Sequence, residues 1–98
     1  MKQIRIDGYV LETLMSDLVA HDRQPSAFLV YLQLWSRTAG RQARVRVSHQ
    51  QMAEATGLSK SAVQAAVRTL SRRRLIRAAR DSATAVPAYT VLRPWRRS

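Results

Sequence analysis

The sequence predicts a mainly α-helical fold with a small antiparallel β-hairpin, preceded by an N-terminal helical extension. Three observations carry the prediction. Apolar residues recur at helical spacing in the segments before residue 75. Two short runs, 75–79 and 89–92, read as strands on either side of a polar stretch. Capping and turn residues stand where those helices must start and stop. The length of 98 residues fits one domain, and an apolar share of 46% argues against disorder.

The first periodic run is Val10, Leu11, Leu14, Met15, Leu18 and Val19, with Glu12, Thr13, Ser16 and Asp17 on the other side. Asp7 is placed to cap its start. Residues 21–24 are polar and break the pattern. Pro25 then suits the first turn of a second helix, where its missing N–H costs nothing. That helix should run to about Ala39 and stop at Gly40, which tolerates a left-handed C-terminal position. It is apolar nearly all round, through Phe28, Leu29, Val30, Tyr31, Leu32, Leu34 and Trp35, so it must be covered on every side. The expectation is a central helix that also joins two copies of the chain through Val30, Tyr31 and Leu34.

Residues 44–47, Arg-Val-Arg-Val, alternate at period two and read as a short strand with its valines inward. A third helix follows from Ser48, and a fourth from Ser59 to residue 73 or 74. Residues 75–79 form a strand, 80–85 a loop and 89–92 a second strand, with Pro87 at its edge. Pro94 ends that strand and leaves a short basic tail. The chain thus divides into a packing and dimerisation segment (1–40), a core (44–92) and the tail (93–98).

Residues 48–70 carry the functional signal. Ser48 and Gln51 have the spacing of a capping box. Ala53 is small enough to let the next helix cross closely. Gly57 offers the positive φ of a tight turn between steeply crossing helices. Leu58 plugs the turn, and Ser59 caps the following helix. Val63, Ala66, Val67 and Leu70 make an inward stripe, leaving Lys60, Ser61, Gln64, Arg68 and Arg72 outward. That outward face holds no acid. A helix fits the major groove of B-DNA, and these residue types bond base edges and phosphates.

Residues 45 to about 92 resemble a winged helix-turn-helix domain. The run Ala-Glu-Ala-Thr-Gly-Leu-Ser-Lys-Ser-Ala-Val-Gln at 53–64, then Leu-Ser-Arg-Arg-Arg-Leu-Ile at 70–76, is similar to that class, which contains many bacterial transcription regulators. More narrowly, Ser-Ala-Phe-Leu-Val-Tyr-Leu at 26–32 resembles the helix-turn-helix family of plasmid and phage replication initiators and small regulators. The resemblance implies a wing between the last two strands that touches phosphate or the minor groove, carried here by Arg77, Arg80, Ser82 and Thr84. Its tip has few basic residues, which argues against deep minor-groove insertion.

Charge agrees with this reading. Residues 1–36 hold three basic and four acidic residues, whereas 37–98 hold fourteen and two, so the net +11 is divided as −1 and +12. The expected partner is double-stranded DNA, bound by a homodimeric, repressor-like transcription regulator. Lys60, Ser61, Gln64 and Arg68 would read bases. Ser48, His49, Gln50, Ser59, Arg72, Arg73, Arg77, Arg80, Arg96 and Arg97 would meet phosphates. The basic run at 72–74 also suits a helix C-terminus electrostatically. A plasmid or phage replication or partition protein would use the same domain, and the location of its binding sites separates the two. A winged helix that binds only proteins would carry an apolar or acidic recognition face, and a membrane-surface protein a basic amphipathic helix. Neither pattern is present.

No enzyme is expected, because no acid pair or glycine-rich phosphate loop is present. The absence of cysteine removes thiol and cysteine-zinc chemistry, and His21 and His49 do not pair into a metal site. No cofactor and no small-molecule ligand are predicted. No leader is visible, and the apolar run at 28–35 is far below the roughly 20 residues of a membrane span. The expected location is the bacterial cytoplasm, on nucleoid or plasmid DNA.

Overall fold

The computed structural model describes residues 2–96. Two π-helical stretches, Val10–Leu14 and Ser16–His21, come first. They are followed by α1 (Pro25–Thr38), β1 (Arg44–Arg46), α2 (His49–Thr56), α3 (Lys60–Arg72), β2 (Ile76–Ala79) and β3 (Ala88–Val91). The strands form one antiparallel sheet in the order β1-β3-β2. Val45 and Ala78 both face Tyr89 across the ladders, from opposite sides of the central strand β3. The result is a helical fold with a small three-stranded sheet, the hairpin of the sequence prediction being widened by β1.

The ends of α1 follow from local chemistry. Pro25 occupies its first turn. At the other end Ala39 (φ 53°) and Gly40 (φ 75°) are both left-handed, and the Gly40 N–H donates to the Trp35 carbonyl at 2.9 Å. Gly40 is also sterically required, since a Cβ there would lie 2.9 Å from Trp35 Nε1.

Ala27, Phe28, Val30, Tyr31, Leu34 and Trp35 of α1 are buried with Val47, Met52, Val63, Leu70, Tyr89 and Val91. The N-terminal segment, α2, α3, β1 and β3 all pack on α1, which is why it is apolar nearly all round. This corrects one expectation. Val30, Tyr31 and Leu34 have no exposed surface in a single copy, so they cannot form a face between copies. The Tyr31 hydroxyl donates to the Leu92 carbonyl at 2.9 Å, and burial pushes its pKa up.

The N-terminal segment departs from the predicted α-helix. Its bonds close over five residues, as in Met15 N–H to the Val10 carbonyl and Asp22 N–H to the Asp17 carbonyl. Val10, Leu14 and Leu18 face the core, whereas Leu11, Met15 and Val19 remain exposed. Only half of the apolar stripe is therefore used within the chain.

Asp7 does not cap this segment with its side chain. Its carboxylate instead accepts from Trp95 Nε1 at 2.8 Å and from Arg96 Nε at 2.6 Å, with a second Arg96 nitrogen on the other oxygen. The Trp95 ring stacks on Tyr9, with centroids 4.6 Å apart, and also lies against Trp35 and Tyr31. Trp35 Nε1 donates to the Arg5 carbonyl at 2.8 Å. The two ends of the described chain are thus joined over one aromatic cluster.

Candidate nucleic-acid interface

The helix pair α2–α3 is built by short-range bonds. Ser48 Oγ accepts from Gln51 N–H at 3.0 Å, while Gln51 Oε1 accepts from Ser48 N–H at 2.8 Å, a complete capping box. Gly57 ends α2 with φ 79°. Thr56 adds a brace that sequence reasoning missed. Its hydroxyl donates to the Met52 carbonyl at 2.7 Å and accepts from Leu58 N–H at 3.2 Å. Ser59 then caps α3 by accepting from Ala62 N–H at 3.1 Å.

Capping and burial together fix which way α3 faces. Val63, Ala66, Thr69 and Leu70 are buried, and the Thr69 hydroxyl bonds the Gln24 amide oxygen at 3.3 Å. Lys60, Ser61, Gln64, Arg68, Ser71 and Arg72 are exposed. At about 100° per residue these six lie within an arc of roughly 120° centred near Gln64 and Arg68. Among the described residues, no carboxylate pairs within 4 Å with Lys60, Arg68 or Arg72. The face is a helix-wide strip of donors with uncommitted positive charge.

A second group gathers where the first turn of α2 meets β3. His49 Nε2 lies 3.1 Å from the Tyr89 hydroxyl. Burial, followed by the charges of Arg80 and Lys60, holds the His49 imidazole below its usual pKa. Arg80 also acts on the phenol of Tyr89, which burial pushes up. His49 of α2 and Tyr89 of β3 thus meet, with Arg80, just past β2, and Lys60 of α3 near enough for their charges to act on the imidazole. Tyr89 was not foreseen. The sequence marks it only as the start of a strand.

Compared with protein-family models, with curated proteins and with solved structures, the chain matches none.

The remaining expected contacts divide sharply. Arg77 and Arg80 are exposed on and beside β2, as are Ser82 and Thr84 in the β2–β3 loop. That loop is tied to β1 and to itself: Arg46 of β1 donates to Asp81 at 2.7 Å and to the Val86 carbonyl at 3.1 Å, Arg80 donates to the Ala83 carbonyl at 3.4 Å, and the Ser82 and Thr84 hydroxyls are 3.4 Å apart. Gln50 is exposed, but its amide donates to Glu54 at 3.0 Å. Ser48 keeps its hydroxyl proton available although its oxygen caps α2, whereas the Ser59 hydroxyl lies 3.2 Å from that of Ser61, so one of those two protons is used between them.

Two expected phosphate ligands are committed elsewhere. Arg73 lies 3.4 Å from Asp22 and 3.9 Å from Asp17, turned toward the N-terminal segment. Nine residues beyond Gln64, it is about 180° around the helix from that residue and about 100° past the strip's edge at Arg72, so it does not share that face. Arg96 is held by Asp7 rather than lying in a loose tail. Arg97 lies outside the described residues. Among the described residues no helix is long and apolar enough to cross a membrane.

Proposed function

We propose that the chain is a winged helix-turn-helix protein that binds double-stranded DNA sequence-specifically, as a homodimeric, repressor-like transcription regulator. The observation that carries this reading is the exposed strip of α3. It presents Lys60, Ser61, Gln64 and Arg68 side by side, with no acid among them and no carboxylate partner within 4 Å among the described residues. A single helix of this width enters the major groove, where Gln64 can pair with an adenine edge and Arg68 or Lys60 with guanine. Arg72 at one edge of the strip, and His49 and Arg80 beyond Lys60 at the other, would meet the phosphate backbones. The β2–β3 loop acts as the wing, with Arg77 and Arg80 at its base rather than its tip, so it braces a phosphate and does not probe deeply into the minor groove. Occupancy of a promoter by such a protein blocks other proteins from the same groove, hence the repressor-like assignment.

Selection of bound sequences from a random DNA pool tests this directly. The expected product is an inverted repeat whose half-sites lie one helical turn, about 34 Å, apart. Gln64→Ala should relax preference at one base position by about 1–3 kcal/mol while leaving nonspecific affinity unchanged. A pool that shows no enrichment overturns the proposal, and an equal loss on all sequences removes Gln64 from base reading.

A further inference from the structure

Leu11, Met15 and Val19 form a row four residues apart on the outer side of the N-terminal segment. They are 49%, 40% and 36% exposed, although the same segment buries Val10, Leu14 and Leu18 completely or nearly so. Val19 borders a shallow hollow with Ala20, Arg23 and Pro25, and Leu29, 42% exposed, lies one turn along α1 from Pro25. Single exposed apolar residues are ordinary; a continuous row of large ones on one face marks a contact surface.

Charge selects what can cover the row. The chain is strongly basic, but its excess lies entirely beyond residue 36. Two such molecules repel through most of their surfaces and meet at least cost where net charge is near zero. An anionic membrane or acidic partner would need several basic neighbours, whereas this row is flanked by the exposed Glu12 and Ser16 and meets a single cation, Arg23, beyond one end. The charges are also self-complementary. Glu12 stands near one end of the row and Arg23 beyond the other; both are exposed, and neither pairs with a described residue. A two-fold axis makes each end of such a row face the opposite end of its copy.

We propose that this row is the surface on which two copies of the chain join, with the N-terminal segments antiparallel about Met15. Leu11 then packs on Val19 of the second copy, and Glu12 approaches Arg23 of the second copy at both ends. The inference supplies the interface for the two-copy form of the DNA-binding reading and rests on that part of it, though not on DNA contact itself. It replaces Val30, Tyr31 and Leu34, which lie beneath the surface.

Sedimentation equilibrium of the whole chain without DNA is the test. The wild type should approach twice its 11.1 kDa with rising concentration. Met15→Glu should be monomeric with an unchanged circular-dichroism spectrum, since that side chain is not part of the core. Glu12→Arg and Arg23→Glu should each weaken association about tenfold, and the double charge swap should restore it. A wild type that stays monomeric at about 100 μM overturns the proposal. So does a Met15→Glu variant that dimerises like the wild type, or a double swap no better than either single one. Titration with DNA from the selected pool keeps the two readings apart. A dimer that binds no sequence preferentially sinks the DNA reading alone, and a monomer that binds a single half-site sinks this one alone.

Discussion

His49 is the group on the candidate face whose charge can change near neutral pH. Its ordinary pKa is about 6.5, and burial together with Arg80 and Lys60 lowers it. The unfolded chain therefore takes up the proton first, and stability falls as pH drops through about 6.5 toward the lower folded value. A bound phosphate reverses the local field, because it offsets Arg80 and Lys60 and favours the imidazolium. DNA binding should then take up a proton, and affinity should rise by up to about tenfold per pH unit as pH falls through the imidazole range. Fluorescence anisotropy with His49→Gln should show a flatter profile. His21, which lies 2.8 Å from Asp22 on the N-terminal segment, provides the control, and His21→Gln should leave the slope intact. An unaltered slope in His49→Gln would remove this residue from the interface. At this scale the legible features were those spanning a few residues. Ser48 with Gln51, Gly57 and Ser59 can be read because cap and turn partners are close in sequence. The His49–Tyr89 bond spans 40 residues and the Asp7–Arg96 pair 89, and no local pattern encodes such distances.

At the level of elements, α3 separates two adjacent arginines. Arg72 lies at the edge of the exposed strip and Arg73 behind it, beside Asp17 and Asp22. Arg72→Ala should lower the slope of log affinity against log salt by about one. Arg73→Ala should leave that slope unchanged and cost up to about 1 kcal/mol of stability, the range for exposed ion pairs. Equal slopes for both variants would mean that the strip ends before Arg72. The helix stops make a similar contrast. Gly57 and Gly40 both need positive φ, but a Cβ on Gly57 meets nothing within 4 Å, while one on Gly40 meets the Trp35 ring. Gly57→Ala should cost about 1–2 kcal/mol of backbone strain alone, and Gly40→Ala distinctly more, measured by chemical denaturation. Elements were legible wherever apolar spacing and caps coincide. The N-terminal segment was legible as helical but not as π-helical, because residues spaced by four satisfy either bonding pattern. Nor did six apolar residues reveal which three face inward, since that depends on how much of the segment α1 can cover.

Across the whole molecule, the charge asymmetry was open to counting, but the way the chain closes on itself was not. The basic tail looked free because charge alone does not say which acid a cation meets. In the structure Asp7 gathers Trp95 and Arg96, and Trp95 spans Tyr9, Tyr31 and Trp35, so opposite ends of the chain share one cluster. The bonds from Arg96, the strongest influence, hold the Asp7 carboxyl below its usual pKa. A carboxyl depressed in the folded state stabilises the fold above its unfolded pKa of about 3.9, and that contribution is lost as pH falls through the lower folded value. Asp7→Asn should therefore melt a few degrees below the wild type at neutral pH, and the gap should close under strongly acid conditions where both side chains are uncharged. Because Asp7 is tied to the aromatic cluster and not to the α3 strip, the variant should keep the wild-type sequence preference among selected DNA sites. Equal melting temperatures at neutral pH would show that stacking of Trp95, without the carboxylate, is enough to hold the ends together. A changed sequence preference would show that closure of the ends also sets how α3 is presented.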